Sequence, residues 1–312
     1  MFKYFLKKMQ NLMIGTVIAL LLAVSVQAEN DLQNNPKMRC YYRGEKINLT
    51  SNLVTAQYLF TESHKVDSSV QGAAIYGKYL FQFNNYCERW GIYNLDTREL
   101  IQSIEFEPDK LLHCNNANFG KQYFDPSDPF PLLYISMENI AKHNVYVFRI
   151  TGEEGNYSVK HIQTITWPTP ESCNCYYPNV VVDNENNRII QMGYTQNNYH
   201  VAENNQLVIN IYPLPDGKIT NVVFTAKDIL DSFKLDSVTA TQGAFCKDGK
   251  IYQVYGVKDP CTIRVTDLNR KLVVSLINLP ELGILGEQEG LGYYNEGIIM
   301  VGVNKKVYFL KP

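Results

Sequence analysis

An all-β fold, a single β-propeller, is what this sequence predicts, and three observations predict it. The first is a phrase that occurs twice. Gln71-Gly72-Ala73, Lys78-Tyr79-Leu80-Phe81-Gln82-Phe83 and Thr97-Arg98-Glu99-Leu100-Ile101 return as Gln242-Gly243-Ala244, Lys250-Ile251-Tyr252-Gln253-Val254-Tyr255 and Asn269-Arg270-Lys271-Leu272-Val273. Self-similarity at the scale of a few short strands marks a repeat architecture. The second is the run of short β-branched and aromatic segments separated by Gly, Asn and Asp turn signals along the whole chain. The third is an aromatic content of 12% that includes 22 Tyr, a residue suited to half-buried pleated surfaces. Five blades are expected, with six as the alternative.

The elements follow in order. Blade one runs from Gln71 to about Phe106, with strands at Ala73–Tyr76, Tyr79–Phe83, Trp90–Asn94 and Leu100–Phe106; Gly77-Lys78 and Asp96-Thr97-Arg98 supply its turns. Blade two begins near His113 and offers Pro131–Ser136, Asn144–Ile150 and Tyr157–Ile165, the last two joined through Gly152-Glu153-Glu154-Gly155-Asn156. Blade three begins near Tyr177, with strands at Val180–Asp183, Arg188–Tyr194, Leu207–Tyr212 and Ile219–Phe224. Ala226–Phe233 is expected to form a short helix ahead of blade four, which is the second copy of the phrase, Gln242–Leu279. Blade five begins at Glu287-Gln288-Glu289-Gly290-Leu291 and offers only Leu291–Tyr294, Gly297–Val303 and Lys306–Leu310. A blade has four strands. The missing one is expected from Ala56–Thr61, which would close the ring and cover an exposed sheet edge.

The N-terminus has the plan of an export signal. Lys3, Lys7 and Lys8 precede an apolar run from Leu12 to Val26, and Val26-Gln27-Ala28 is a small-x-small cleavage site. The run is short for a membrane span. The expected organisation is a signal peptide at 1–28, a polar strap at 29–50 held by Cys40, and the propeller at 51–312, secreted or periplasmic, with no membrane span in the mature chain. Removing 1–28 takes away three Lys and no acid, so the mature chain is more acidic than the formal net charge of −2. No basic run offers to neutralise phosphate, so no nucleic-acid partner is expected. A monomer is expected, with a small polar ligand or a protein as its partner. In an exported chain the seven Cys (40, 87, 114, 173, 175, 246 and 261) are expected to form disulfides. Cys87, Cys114, Cys173, Cys175 and Cys261 fall in loops of one face, and their connectivity stays open.

The first strand of each blade lines the channel of a propeller, so the strand starts bring candidate residues to one mouth. They are Gln71-Gly72; His113 with Asn115, Asn116 and Asn118; Tyr177 with Asn179; Gln242-Gly243; and Glu287 with Glu289. Such a convergent polar set is what a ligand pocket needs. Buried amides also tie neighbouring backbones, and the recurrence of Gln-Gly favours that structural role for Gln71 and Gln242. His113 and Glu289 are the candidate acid–base pair: imidazole titrates near neutrality, and Glu289 precedes a Gly as Gln71 and Gln242 do. Asp125-Pro126-Ser127-Asp128-Pro129 supplies carboxylates that could hold a structural calcium, though a solvated Pro-flanked turn is the simpler reading. No other metal or cofactor is indicated. Zinc-protease, serine-hydrolase and phosphate-loop motifs are absent.

The Gln71-Gly72 entry, the Tyr79-Leu80-Phe81 strand and the Leu95-Asp96-Thr97-Arg98-Glu99-Leu100 turn resemble the bacterial and plant glutamine cyclotransferase family, whose members are five-bladed propellers. The copy at 242–279 and the Glu289-Gly290-Leu291 entry look similar. Blade two departs, with His113-Cys114-Asn115-Asn116 where that family has an acidic Gly-rich entry. The resemblance therefore implies the fold and not the activity. In style the chain is also similar to exported propellers of Gram-negative bacteria.

Three functions follow as expectations. The first is an exported propeller that binds a small polar ligand, a glycan or peptide, at the channel mouth. The second is a propeller enzyme (a lyase, cyclotransferase or hydrolase) using His113 and Glu289. The third is a protein-interaction scaffold.

Overall fold

The computed structural model describes residues 54–61, 70–105, 113–138, 143–167, 175–197, 205–236, 240–257 and 261–311. The signal segment and the strap lie outside them. The described residues form five sheets, the blades of a propeller, antiparallel but for one short edge strand. Strand β1 (Thr55–Thr61) belongs to the last sheet. Blade one holds β2 (Val70–Tyr76), β3 (Tyr79–Asn84), β4 (Arg89–Asn94) and β5 (Glu99–Glu105). Blade two holds β6 (His113–Phe119), β7 (Leu133–Glu138), β8 (His143–Glu153) and β9 (Asn156–Trp167). Blade three is β10 (Tyr176–Asp183), β11 (Arg188–Tyr194), β12 (Gln206–Pro213) and, after the short β13 (Asn221–Val223), β14 (Asp231–Asp236). Blade four is β15 (Thr241–Lys247), β16 (Lys250–Tyr255), β17 (Thr262–Asp267) and β18 (Leu272–Asn278). Blade five is β19 (Gln288–Tyr294), β20 (Gly297–Gly302) and β21 (Lys306–Lys311), with β1 paired antiparallel to β21 as its fourth strand.

Two elements differ from the sequence expectation. Ile219–Phe224 does not complete blade three. Its core, β13, runs parallel to β9 on the edge of blade two, with Asn221 opposite Thr164 and Val223 opposite Thr166. Val222 and Phe224 pack there against the Trp167 core, which gives the segment a better apolar partner than the blade-three edge. The expected helix at 226–233 is a single 3-10 turn, Ala226–Asp228, held by a capping box with Thr225. It stops because Asp231–Asp236 alternates half-buried and exposed, a period of two. That strand pairs with β12 and turns Phe233 and Leu235 toward the blade-three core.

Each pair of neighbouring blades shares a hydrophobic core. Trp90 of blade one lies edge-on to Phe83 (4.8 Å) and to Phe148 of blade two (5.2 Å), and its indole N–H donates to the Cys87 carbonyl at 2.9 Å. Trp167 of blade two meets Tyr212 of blade three at 5.7 Å. Val181 and Ile190 of blade three pack with Ile251 and Leu268 of blade four. Ile263 and Ile277 pack with Met300 and Leu310 of blade five, and Ile299 and Val307 with Leu80 and Tyr93 of blade one. Burying one such aliphatic side chain contributes roughly 1.5–3 kcal/mol. Inner strands are therefore buried almost throughout, as in β2, whereas the outer β5 is exposed or half-buried along its length.

Candidate functional site

Every innermost strand carries a register shift at the same point of its first hairpin. The shifts fall at Val70/Gly72, Cys114/Ala117, Tyr176/Asn179, Thr241/Ala244 and Gln288/Gly290. In each case one extra residue on the inner strand is left over against its partner. Such a bulge bends the strand and re-aims a side chain. Repeated five times around the ring, it turns strand starts that would otherwise only line the channel into the walls of a mouth.

A cavity of about 210 Å³ opens at this mouth, and all five blades contribute to it. Gln71 comes from blade one, His113 and Asn115 from blade two, Tyr177 and Tyr194 from blade three, Thr241 and Gln242 from blade four, and Glu287 from the entry to blade five. Among the described residues no Lys or Arg lines it. Two lining residues, Tyr177 (φ +49°) and Ala240 (φ +48°), hold the left-handed backbone conformation. That conformation costs a non-glycine residue about 1–2 kcal/mol, a cost found where a site fixes its geometry.

Of the residues singled out in the sequence, Gln71, His113, Tyr177, Gln242 and Glu287 meet in this cavity. Asn116, Asn118 and Asn179 lie beneath it and are buried. The Asn116 side chain donates to the Val180 carbonyl (2.8 Å) and accepts from the Ala244 N–H (3.0 Å). The Asn118 side chain donates to the Ala244 carbonyl (2.9 Å). Blades two and four do not adjoin, so the bonds of Asn116 and Asn118 to Ala244 reach across the ring. Asn179 donates to the Gln242 carbonyl (2.5 Å) and to the Asn115 side-chain oxygen (3.1 Å). Sequence reasoning missed Tyr194, Ala240, Thr241 and Val257. A signal existed for Tyr194: an antiparallel hairpin sets the end of the second strand beside the start of the first, and Tyr194 pairs with Tyr176. Its hydroxyl accepts from the Thr241 N–H at 3.0 Å.

The acid–base groups divide between wall and interior. His113 Nδ1 lies 2.5 Å from the Asn85 side-chain oxygen, so Nδ1 carries the proton and Nε2 is in the basic form. Burial lowers the His113 pKa below the usual imidazole value and favours the neutral ring. Glu287 accepts from Gln242 Nε2 at 2.7 Å. Its pKa is raised by burial and held back by bonds from Glu289 and Gln242. Glu289 is fully enclosed, and neither of its oxygens has a well-formed hydrogen bond among the described residues. The group facing it is the Glu287 carboxyl. Burial, then the charge and hydrogen bond of Glu287, push Glu289 from 4.5 up to about 9. Glu289 therefore keeps its proton near neutral pH, and the two carboxyls titrate as a coupled pair.

The acidic turn at 125–129 is an ion-paired structure. Arg149 makes a two-pronged bond to the buried Asp128, with Nη2 at 2.7 Å and Nε at 2.9 Å, and Asp125 accepts from Ser127. No cluster of three or more metal-ligating side chains occurs among the described residues. The expected disulfides are not formed among the described cysteines. Cys87, Cys114, Cys175, Cys246 and Cys261 are free thiols, while Cys40 and Cys173 lie outside the described residues. Cys261 donates to the Gly256 carbonyl at 3.4 Å. No helix among the described residues is long and apolar enough to cross a membrane.

No family model and no curated protein matches the chain. Solved structures do. Glutaminyl cyclase of Myxococcus xanthus is similar over 83% of this chain and 96% of its own, at 12% identity and a TM-score of 0.51. A luciferin-regenerating enzyme covers 83% and 95%, at 6% identity and a TM-score of 0.48. At such identity the first likeness speaks for the fold alone, and with the five sheets it establishes a five-bladed β-propeller.

Proposed function

We propose that the chain is an exported propeller that binds a small polar ligand, a glycan or peptide fragment, in the cavity at its channel mouth. The observation that carries this reading is that all five blades contribute to one cavity whose polar walls are amide, carboxyl, imidazole and phenol groups. Buried asparagines tie the blades together beside it. With the Glu287 carboxyl on the wall and no Lys or Arg among its described lining residues, the cavity suits hydrogen-bond donors, neutral or ammonium-bearing, better than anions. Tyr177 and Tyr194 add flat apolar surface of the kind such sites use. Export rests on the basic start, the apolar run and the Val26-Gln27-Ala28 site.

The test is a thermal-shift screen of the mature chain with neutral oligosaccharides and short peptides. A ligand present at about 100 times its Kd adds roughly 2.7 kcal/mol, a rise of about 5–10 °C at this size. Gln71→Ala and Glu287→Gln should each abolish the rise. Hits that both variants keep would place the ligand elsewhere and sink this reading.

One observation favours a second reading, acid–base catalysis in the same cavity. A neutral His113 and a carboxylate that shares a proton with a buried carboxyl line or underlie one space, and such splitting of paired titrations is how sites hold an acid and a base together. In it His113 Nε2 takes a proton, and Glu287, backed by Glu289, gives or receives one. Loss of turnover of a bound ligand in His113→Ala with binding kept supports the enzyme. Binding without turnover in the parent chain supports the first reading.

A further inference from the structure

Cys87 and Cys114 come from different blades and meet in one core. Cys87 sits in the turn between β3 and β4 in the left-handed conformation (φ +57°). Its backbone is fixed on both sides: the N–H donates to the Asn84 carbonyl (2.9 Å) and the carbonyl accepts from Trp90 Nε1 (2.9 Å). The next residue of the turn inward, Asn85, receives the Cys114 N–H on its carbonyl at 2.9 Å and faces His113 Nδ1 with its side chain at 2.5 Å. Both cysteines are fully buried in the cluster of Phe83, Trp90 and Phe148, and the Cys87 thiol is near enough to push up the pKa of Cys114. The turn of blade one and the strand start of blade two are thus joined at two places, backbone and imidazole, with Cys87 and Cys114 in the one core beside them.

We infer that Cys87 and Cys114 are a disulfide-forming pair that covalently fastens the blade-one turn to the strand carrying His113 and Asn115. The bond forms by thiol–disulfide exchange with a disulfide donor, either a dithiol oxidase of the export compartment or oxidised glutathione. One cysteine thiolate attacks the donor's S–S bond and releases a donor thiol. The second cysteine then attacks the protein sulfur of the mixed disulfide and releases the other donor thiol. Two electrons pass to the donor, and the two cysteine protons end on its thiols. In the folded blades both sulfurs are shut off from any donor, and the Cys114 thiol is held protonated by its thiol neighbour and by burial. Exchange therefore precedes or accompanies the docking of blade two on blade one, and the finished bond resists reductant until the chain unfolds.

The oxidant rests on the export reading, and the test is chosen to be independent of it. The full chain is denatured, reduced and refolded in a glutathione redox buffer, then alkylated and peptide-mapped without reduction. The expected result is a Cys87–Cys114 linked peptide in the folded fraction. A Tm higher than that of the chain refolded with reductant, by roughly 5–10 °C, should accompany it. Cys87→Ser and Cys114→Ser should each remove that difference, and Cys246→Ser should keep it. Recovery of Cys87 and Cys114 both alkylated, or of either joined to a different cysteine, overturns the pairing. If the Ser variants fail to fold, the map of the parent chain decides alone. A linked peptide formed in buffer supports the pair whatever route the chain takes in a cell.

Discussion

At the scale of single residues, Glu289 is the group most out of balance with its surroundings. It is enclosed, faces another carboxyl and keeps its proton to about pH 9. An unfolded chain would release that proton near 4.5. Between these values the folded state binds a proton that the unfolded state does not, so stability falls as pH rises. The slope is about 1.4 kcal/mol per pH unit for one such proton. Glu289→Gln removes the titration and keeps the shape. Its Tm should match the parent near pH 4.5 and exceed it increasingly toward pH 8, and parallel Tm–pH profiles would show that Glu289 is not held neutral. Asn118 is the contrasting case, a polar group with its partners in place. Asn118→Ala leaves the Ala244 carbonyl without its donor, which costs about 1–3 kcal/mol, measurable by urea unfolding.

At the scale of elements, the five bulges depend on how closely the inner strands approach one another. A Cβ on Gly243 would stand 2.4 Å from the Glu289 carbonyl oxygen, and one on Gly290 2.4 Å from the Ala73 Cβ. At Gly72 the nearest atom, the Asn115 carbonyl oxygen, is 3.2 Å away. Gly243→Ala and Gly290→Ala should therefore each cost about 1–3 kcal/mol through overpacking, and Gly72→Ala clearly less; equal losses at all three would mean that the approach is not what selects glycine. This also explains what the sequence could and could not convey. Gln71-Gly72, Gln242-Gly243 and Glu289-Gly290 were legible as equivalent entries because their local chemistry repeats. Strand starts in blades two and three lack the Gly, and there Asn116 and Asn179 bridge to the next blades instead, so their equivalence lies in pairing and not in residue type. The wall at Tyr194 and Thr241 was invisible for a related reason: it comes from the far end of one hairpin meeting the next blade. The strand at 231–236 was hidden because Ala226, Ile229, Leu230 and Phe233 fall at i, i+3, i+4 and i+7, a helical spacing that runs into it.

At the scale of the whole molecule, the outer strand of blade five comes from the opposite end of the described chain. Thr55 pairs with Lys311 and Thr61 with Lys306 across the full length of β1 and β21. Every other blade takes its four principal strands in sequence order, so only this sheet waits on a contact between distant segments, and such contacts form late and slowly. Without β1, the backbone of β21 presents an unpaired edge whose faces include Val307 and Leu310, both buried in the intact chain. A chain beginning at residue 66 removes β1 and leaves the remaining twenty strands intact. It should unfold at lower urea than the parent and run as dimers or larger species on size exclusion, because a second copy of the exposed edge is the nearest available partner. Adding a peptide of residues 51–64 should restore the monomer and part of the lost stability by taking the vacant place beside β21. A truncated chain that stays monomeric with the parent's unfolding midpoint would mean that blade five is complete with three strands, and that β1 decorates the ring without holding it.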